Sequence, residues 1–193
     1  MPSKPRILAF AGSLRTDSYN KRLVKIAMSG AASAGADTTF LDLRDLDLPV
    51  FDEDLEKKNG PPPGATKLKQ LMMASDGFLI ASPEYNSSVT AALKNAIDWA
   101  SRPAAGEKPL AAFAGKSAVI MAASPGALGG LRGLVHLRAI LGNINVIVLP
   151  EQRAVSAAHE AFNEDGSLKN ADTQSAILGL GTRLAEFLSR MKS

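Results

Sequence analysis

Residues 6–20 read RILAFAGSLRTDSYN, an apolar segment followed by a polar one. Arg6 to Ala11 is a short, largely apolar run that stops at Gly12, so it predicts a buried strand and is too short for a helix. The polar loop that follows opens directly into a helix predicted over Asn20 to Ala34, and Gly35 stands where a helix C-terminal cap belongs. A strand that leads through a loop into a helix is the first unit of an α/β sheet.

The same alternation continues along the chain. We predict strands over Thr38–Leu43, Gly77–Ala81, Ser117–Ala123 and Val146–Leu149, and helices over Thr66–Ala74, Ala91–Ser101, Leu131–Leu141 and Ala171–Met191. Five apolar strands that each lead into a helix need crossover connections, which predicts a five-stranded parallel sheet with helices on both faces, in one domain over residues 1–193.

Two segments do not fit this alternation. Asp52 to Gly64 is charged and then rich in proline, so we predict an exposed loop there. Glu151 to Asn170 is irregular and carries the turn signal Asp165-Gly166, which predicts a surface excursion with a small hairpin.

Composition restricts the possible functions. The 193 residues include no cysteine, which excludes disulfides, thiolate catalysis and cysteine-ligated metal clusters, so redox chemistry would need a bound cofactor. The formal net charge is only +3 and the basic residues are scattered, so we expect no nucleic-acid partner. No signal peptide or membrane anchor is evident, and we expect a cytoplasmic protein. His136 and His159 lie far apart without a zinc-protease pattern, so no metal site is expected.

The loop after the first strand has the outline of an anion site. It precedes a helix N-terminus, where main-chain N–H groups are unsatisfied, and Ser13, Ser18 and Asn20 add neutral donors while Arg15 adds a charged one. The dinucleotide fingerprint is absent, and Gly115-Lys116-Ser117 lacks the first glycine of a P-loop and precedes a strand. A simpler alternative is that Ser18 or Asp17 only caps the helix and Arg15 is solvated.

The loop after the third predicted strand offers groups for a planar heterocycle. It reads Ser82-Pro83-Glu84-Tyr85-Asn86-Ser87-Ser88, and the next helix carries the segment LKNAIDW, residues 93–99. Tyr85 and Asn86 can present an aromatic surface and amide groups, while the alternative is an ordinary turn with core aromatics. For Trp99 we favour a core position.

These two motifs together resemble the NAD(P)H-dependent FMN reductase family, most closely its quinone and chromate reductases. The resemblance runs from about the first strand to the last helix, and it implies a flavodoxin-like, three-layer fold with strand order 2-1-3-4-5. It further implies that the FMN phosphate is held by Ser13, Arg15, Ser18 and Asn20, with Leu14 and Tyr19 also in the cofactor-binding loop. Pro83, Glu84, Tyr85 and Asn86 would line the isoalloxazine and ribityl, largely through main-chain groups, and Ser124 would approach the flavin.

The family resemblance also implies partners and a mechanism. We expect NADPH or NADH as the hydride donor and quinones or similar small molecules as acceptors. The reaction would be ping-pong, with the chemistry carried by FMN and no catalytic side chains. The protein would be a homodimer or homotetramer in which the second subunit lines part of the flavin pocket. We assign that contact to the segment from Asp52 to Gly64. Azo dyes, free flavin, chromate and arsenicals stay open as acceptors, and so does the nicotinamide preference. The alternatives are an FMN electron carrier and a ligand-binding module, neither of which would turn over NAD(P)H.

Overall fold

The computed structural model describes residues 3–192, and the predicted alternation of strands and helices is present in it. The strands are β1 (Arg6–Ala11), β2 (Asp37–Leu41), β3 (Gly77–Ala81), β4 (Ser117–Ala123) and β5 (Ile147–Val155). The helices are α1 (Tyr19–Ser33), α2 (Glu53–Asn59), α3 (Pro63–Ala74), α4 (Ala91–Ser101), α5 (Leu131–Asn143), α6 (Ala158–Ala161) and α7 (Ala171–Met191). A 3-10 turn covers Leu43–Leu46.

All five strands pair in parallel in the order β2-β1-β3-β4-β5, which confirms the predicted fold. The chain moves from β1 outward to β2 and then returns to place β3 on the other side of β1. The strand order therefore reverses between β1 and β3, and sheets of this kind bind ligands outside the carboxyl ends of the strands at such a point.

The central strands are buried on both faces, because each face is covered by a layer of helices. Alternate residues of β3 point to opposite layers: Phe78 and Ile80 pack into the core beneath α3, α4 and α5, whereas Leu79 packs into the core beneath α1 and α7. Helices α1 and α7 approach so closely that a Cβ on Gly181 would lie 1.7 Å from the carbonyl oxygen of Ala27.

The prediction of an exposed loop from Asp52 to Gly64 is wrong over its first half, where helix α2 forms. The Asp52 carboxylate accepts hydrogen bonds from the N–H groups of Asp54 (2.8 Å) and Leu55 (3.3 Å), and α2 ends at Gly60 with φ 74°. Pro61 and Pro62 lie between α2 and α3, and Pro63 is the first residue of α3, where the missing N–H has no intrahelical acceptor to lose.

The prediction that the last strand stops at Leu149 is also wrong, because β5 continues to Val155. Its pairing with β4 shifts: Val148 lies opposite Ala118, but Gln152 lies opposite Ile120, so three residues around Pro150 face one residue of β4. The Arg138 guanidinium secures this bulge by donating to the carbonyl of Val148 (3.1 Å) and to the side chain of Gln152 (2.9 Å).

Two smaller features complete the comparison with the predicted elements. Strand β2 ends at Leu41 rather than at Leu43, because the Asp42 side chain accepts from the N–H of Arg44 and starts the 3-10 turn. The predicted small hairpin is confirmed by an antiparallel bridge between Phe162 and Leu168, on either side of the turn at 165–166. Within residues 3–192, no helix combines the length and apolar character needed to cross a bilayer.

Candidate functional site

Three loops lie at the carboxyl ends of the strands: the β1 loop (12–18), the β3 loop (82–90) and the β4 loop (124–130). The first two meet at Gly12, whose N–H donates to the carbonyl of Ala81 (2.8 Å) and whose carbonyl accepts from the Thr90 hydroxyl (2.5 Å). A Cβ on Gly12 would lie 2.8 Å from the Cβ of Leu93. Only glycine therefore allows the β1 loop and the start of α4 to pack this closely.

The β1 loop surrounds the N-terminus of α1. Ser13 and Ser18 are buried, while Leu14 and Arg15 are exposed. Ser18 stands at the N-cap position, yet its side chain makes no capping hydrogen bond, and the first turn of α1 contains no acidic residue. The first N–H groups of the helix therefore keep their partial positive charge without a carboxylate to offset it, which is the condition that favours a bound anion.

The next two side chains face the protein interior. The Asn20 amide donates to the carbonyl of Ala123 (2.8 Å) and accepts from the N–H of the same residue (2.9 Å), which ties α1 to the end of β4. The Tyr19 ring stacks on Phe162 with centroids 5.9 Å apart. Both residues belong to the loop predicted to bind the cofactor, but their side chains hold neighbouring elements, so only their main-chain N–H groups remain at the helix N-terminus.

The β3 loop contains a tight turn from Tyr85 to Ser88. These two residues exchange main-chain hydrogen bonds of 3.0 and 3.1 Å, and the two central residues, Asn86 and Ser87, have φ values of 49° and 65°. Two positive φ angles in succession are typical of a type I′ turn. Pro83 before the turn is buried, and Tyr85 at the start of the turn is 53% exposed.

Glu84 points from this turn toward α5. Its carboxylate, with only 7% of the side chain exposed, forms an ion pair with Arg132 and accepts from the main-chain N–H of Gly133 (3.2 Å). Burial raises the pKa of Glu84, but the hydrogen bonds from Arg132 and Gly133 and the Arg132 charge outweigh it and lower the pKa below its usual range. The side chain is therefore ionised and joins the β3 loop to the N-terminus of α5.

Ser124 opens the β4 loop. Its N–H donates to the carbonyl of Val155 (3.0 Å), and its hydroxyl accepts from the N–H of Gly126 (3.3 Å), so the residue starts a turn at the end of β4. The loop closes with Gly129 and Gly130, both with positive φ, immediately before α5.

Thr90 had no role in the sequence prediction, and Asn95 entered it only as part of the 93–99 motif. Thr90 caps α4 by accepting from the N–H of Leu93 (3.1 Å) while it donates to Gly12, and a threonine before a helical run is a recognisable N-cap signal. Asn95 donates to the carbonyl of Pro49 (2.9 Å). Trp99 is buried, as predicted, and its Nε1 also donates to Pro49 (2.8 Å). The 93–99 motif thus fixes the segment before α2.

Comparison with known structures agrees with this architecture. An archaeal flavodoxin shares the fold, with a TM-score of 0.61 at 11% identity. The flavoenzyme NAD(P)H:(acceptor) oxidoreductase FerB of Paracoccus denitrificans superimposes with a TM-score of 0.80 at 30% identity, covering 97% of this chain and 98% of that one. The fold and the arrangement of loops thus define a flavodoxin-like protein.

Sequence comparison gives the family. The model of the NADPH-dependent FMN reductase family matches residues 5–160. An NAD(P)H-dependent FMN reductase of Pseudomonas aeruginosa is 38% identical over 84% of each chain, and a quinone reductase of Escherichia coli is 32% identical over the full length of both. The chain belongs to the NADPH-dependent FMN reductase family. This membership confirms the predicted enzyme class, an oxidoreductase that uses FMN with NAD(P)H.

Proposed function

We propose that this chain is a quinone reductase that oxidises NAD(P)H and binds FMN where the β1 and β3 loops meet. The observation that supports the proposal is the junction of these loops at Gly12, where the loop before the uncapped N-terminus of α1 is hydrogen-bonded to Ala81 and Thr90, the residues on either side of the turn that carries the exposed Tyr85. The names of relatives similar over most of their length, quinone reductase and NADPH:quinone oxidoreductase, support the choice of acceptor.

The β1 loop suits the FMN phosphate. We assign phosphate contacts to the hydroxyls of Ser13 and Ser18, to the Arg15 guanidinium and to the first N–H groups of α1, including that of Asn20, with Leu14 and Tyr19 contributing main-chain groups. Among residues 3–192, no carboxylate forms an ion pair with Arg15, so its charge is available to an anion.

The β3 loop suits the rest of the cofactor. We assign Pro83, Glu84, Tyr85 and Asn86 to the isoalloxazine and ribityl, through main-chain groups and the exposed Tyr85 ring, and Ser124 to an approach from the β4 loop. The left-handed conformation of Asn86 keeps the turn narrow, so that its main-chain groups stay at the surface.

FMN, when bound, would be the group that accepts and passes on the hydride. The chain would position the flavin and the substrates and exclude water. The described loops present no catalytic triad, and no side chain needs to act as acid or nucleophile. We propose that NAD(P)H and the quinone occupy the same exposed surface in turn, which gives ping-pong kinetics and parallel lines in a double-reciprocal plot.

We further propose that the whole chain acts as one FMN-binding domain in a cytoplasmic homodimer or homotetramer. The segment from Asp52 to Gly64 of a neighbouring subunit would help to wall the pocket. Val50 and Leu55, which are large apolar side chains exposed in and beside this segment, support such a contact.

The direct test is to titrate FMN into FMN-free protein and then to follow NADPH and NADH oxidation with benzoquinone as acceptor. We expect binding and turnover. Binding without turnover would instead identify an electron carrier, and no binding would refute the proposal. Arg15→Ala should weaken FMN binding about ten- to hundredfold, since a charge-assisted hydrogen bond contributes about 1.5–3 kcal/mol.

A matched control for this variant is Arg6→Ala. Arg6 is also an exposed arginine, but it lies at the opposite end of β1, where it pairs with Asp76. Its removal should leave FMN affinity unchanged. Equal losses in the two variants would remove Arg15 from the site.

A further inference from the structure

The Glu84 carboxylate is buried, yet it faces α5 rather than the space between the β1 and β3 loops. Arg132 Nε donates to it at 2.7 Å, and the N–H of Gly133 donates at 3.2 Å from the first turn of α5. The charge is thus satisfied by a guanidinium and by a helix N-terminus, both of which favour a carboxylate.

The main chain is shaped to allow this contact. A Cβ on Gly133 would lie 3.2 Å from the carbonyl oxygen of Ser88 and 3.4 Å from the Cβ of Glu84. Gly130 has a φ of 98°, and a Cβ added to it would lie 2.7 Å from the Cβ of Ala122. Small residues therefore let the N-terminus of α5 lie directly against the β3 loop.

A second contact holds the other end of the same turn. Nδ1 of His136 lies 2.9 Å from the Ser88 hydroxyl, one turn further along α5. The residues between these two contacts include Asn86 and Ser87, whose main chain has positive, left-handed φ angles that residues other than glycine adopt rarely. A turn in this conformation persists only where its surroundings fix it.

From these contacts we infer that Glu84 is a positioning residue: through Arg132 and the N-terminus of α5 it fixes the turn that carries Tyr85 and Asn86, and so sets affinity for the ring of the cofactor without contacting its phosphate. The inference deepens the proposed function and rests on it. It gives Glu84, Arg132 and Gly133 one shared role in ring binding, separate from the role of the β1 loop.

The test uses two ligands that differ only in the phosphate, FMN and riboflavin, each titrated into FMN-free protein. Glu84→Gln keeps the size of the side chain and removes its charge. We expect affinity for both ligands to fall by the same factor, about tenfold, because the lost charge-assisted contact fixes only the ring-binding turn. The ratio of the two dissociation constants should stay at the wild-type value. Arg15→Ala should instead change that ratio.

Arg132→Gln tests the same link from the other side. The Arg132 side chain is largely exposed, so this variant is expected to fold even if Glu84→Gln does not. It should reproduce the equal loss for both ligands and shift the visible absorption band of bound FMN. The double variant should lose no more than either single variant, since one link is broken in all three.

Several results would overturn the inference. One is a loss of FMN affinity with riboflavin affinity unchanged, and another is a lowered melting temperature with both affinities unchanged. Additive losses in the double variant would also refute it. Wild-type protein that binds neither ligand would refute the proposed function itself, a result distinguishable from all of these.

Discussion

Replacing Asn20 by alanine should destabilise the protein even without cofactor. The Asn20 side chain is buried and satisfies both the N–H and the carbonyl of Ala123. Its removal leaves two buried main-chain groups unpaired, and each such group costs about 1–3 kcal/mol. We expect a loss of about 3 kcal/mol in the free energy of unfolding, which for a chain of this length lowers the melting temperature by about 6–12 °C.

The assay is thermal and urea unfolding of FMN-free protein. Asn143→Ala is the matched control, because Asn143 is an exposed asparagine at the end of α5 and its removal should change stability by no more than about 0.5 kcal/mol. Asn20→Asp should also destabilise at neutral pH, since one carboxylate oxygen would face the carbonyl of Ala123. If Asn20→Ala shifts the apoprotein melting temperature by less than about 2 °C, the two hydrogen bonds do not stabilise the fold as argued.

Two further predictions concern parts of the molecule away from the site. Gly181→Ala should lower the free energy of unfolding, measured in urea, by more than about 3 kcal/mol, because the new Cβ would clash with Ala27. Gly179→Ala on the same helix is the control: its Cβ meets open space, so this variant should stabilise the protein by up to about 1 kcal/mol. Equal effects of the two substitutions would contradict the close approach of α1 and α7. Burial raises the pKa of Asp76, but hydrogen bonds and charges from Lys192 and Arg6 outweigh this and lower the pKa in the folded protein. The ionised carboxylate therefore stabilises the fold at pH values above the pKa of Asp76 in the unfolded chain, and this stabilisation is lost as the pH falls through its pKa in the folded protein. The stability difference between wild type and Asp76→Asn should therefore shrink on acidification below about pH 4, and a difference constant with pH would refute this.

The sequence predicted the strands of the sheet well because their positions depend on local patterns. Strands β1, β3 and β4 are apolar runs bounded by polar residues, and their predicted bounds match the structure. The order of the strands followed from the family resemblance, and it is confirmed.

The wrong predictions concern segments where one local signal hid another, or where residues elsewhere in the chain determine the local structure. The prolines of 61–63 obscured the capped helix α2 before them. The apolar run ends at Leu149, but Arg138 of helix α5 supports the bulge at Pro150 that lets β5 continue to Val155. No sequence pattern showed that the Asn20 amide reaches Ala123, 103 positions away. The contacts assigned to the individual cofactor-binding residues stay predictions.

The bulge in β5 also affects whether another molecule can pair with the edge of the sheet. Strand β5 is the last of the sheet, so its outer side presents main-chain groups with which a foreign strand could pair. Pro150 offers no N–H there, and the three-residue irregularity breaks the even spacing that a sixth strand would need. The bulge and the missing N–H therefore disfavour the addition of a further strand along this part of β5.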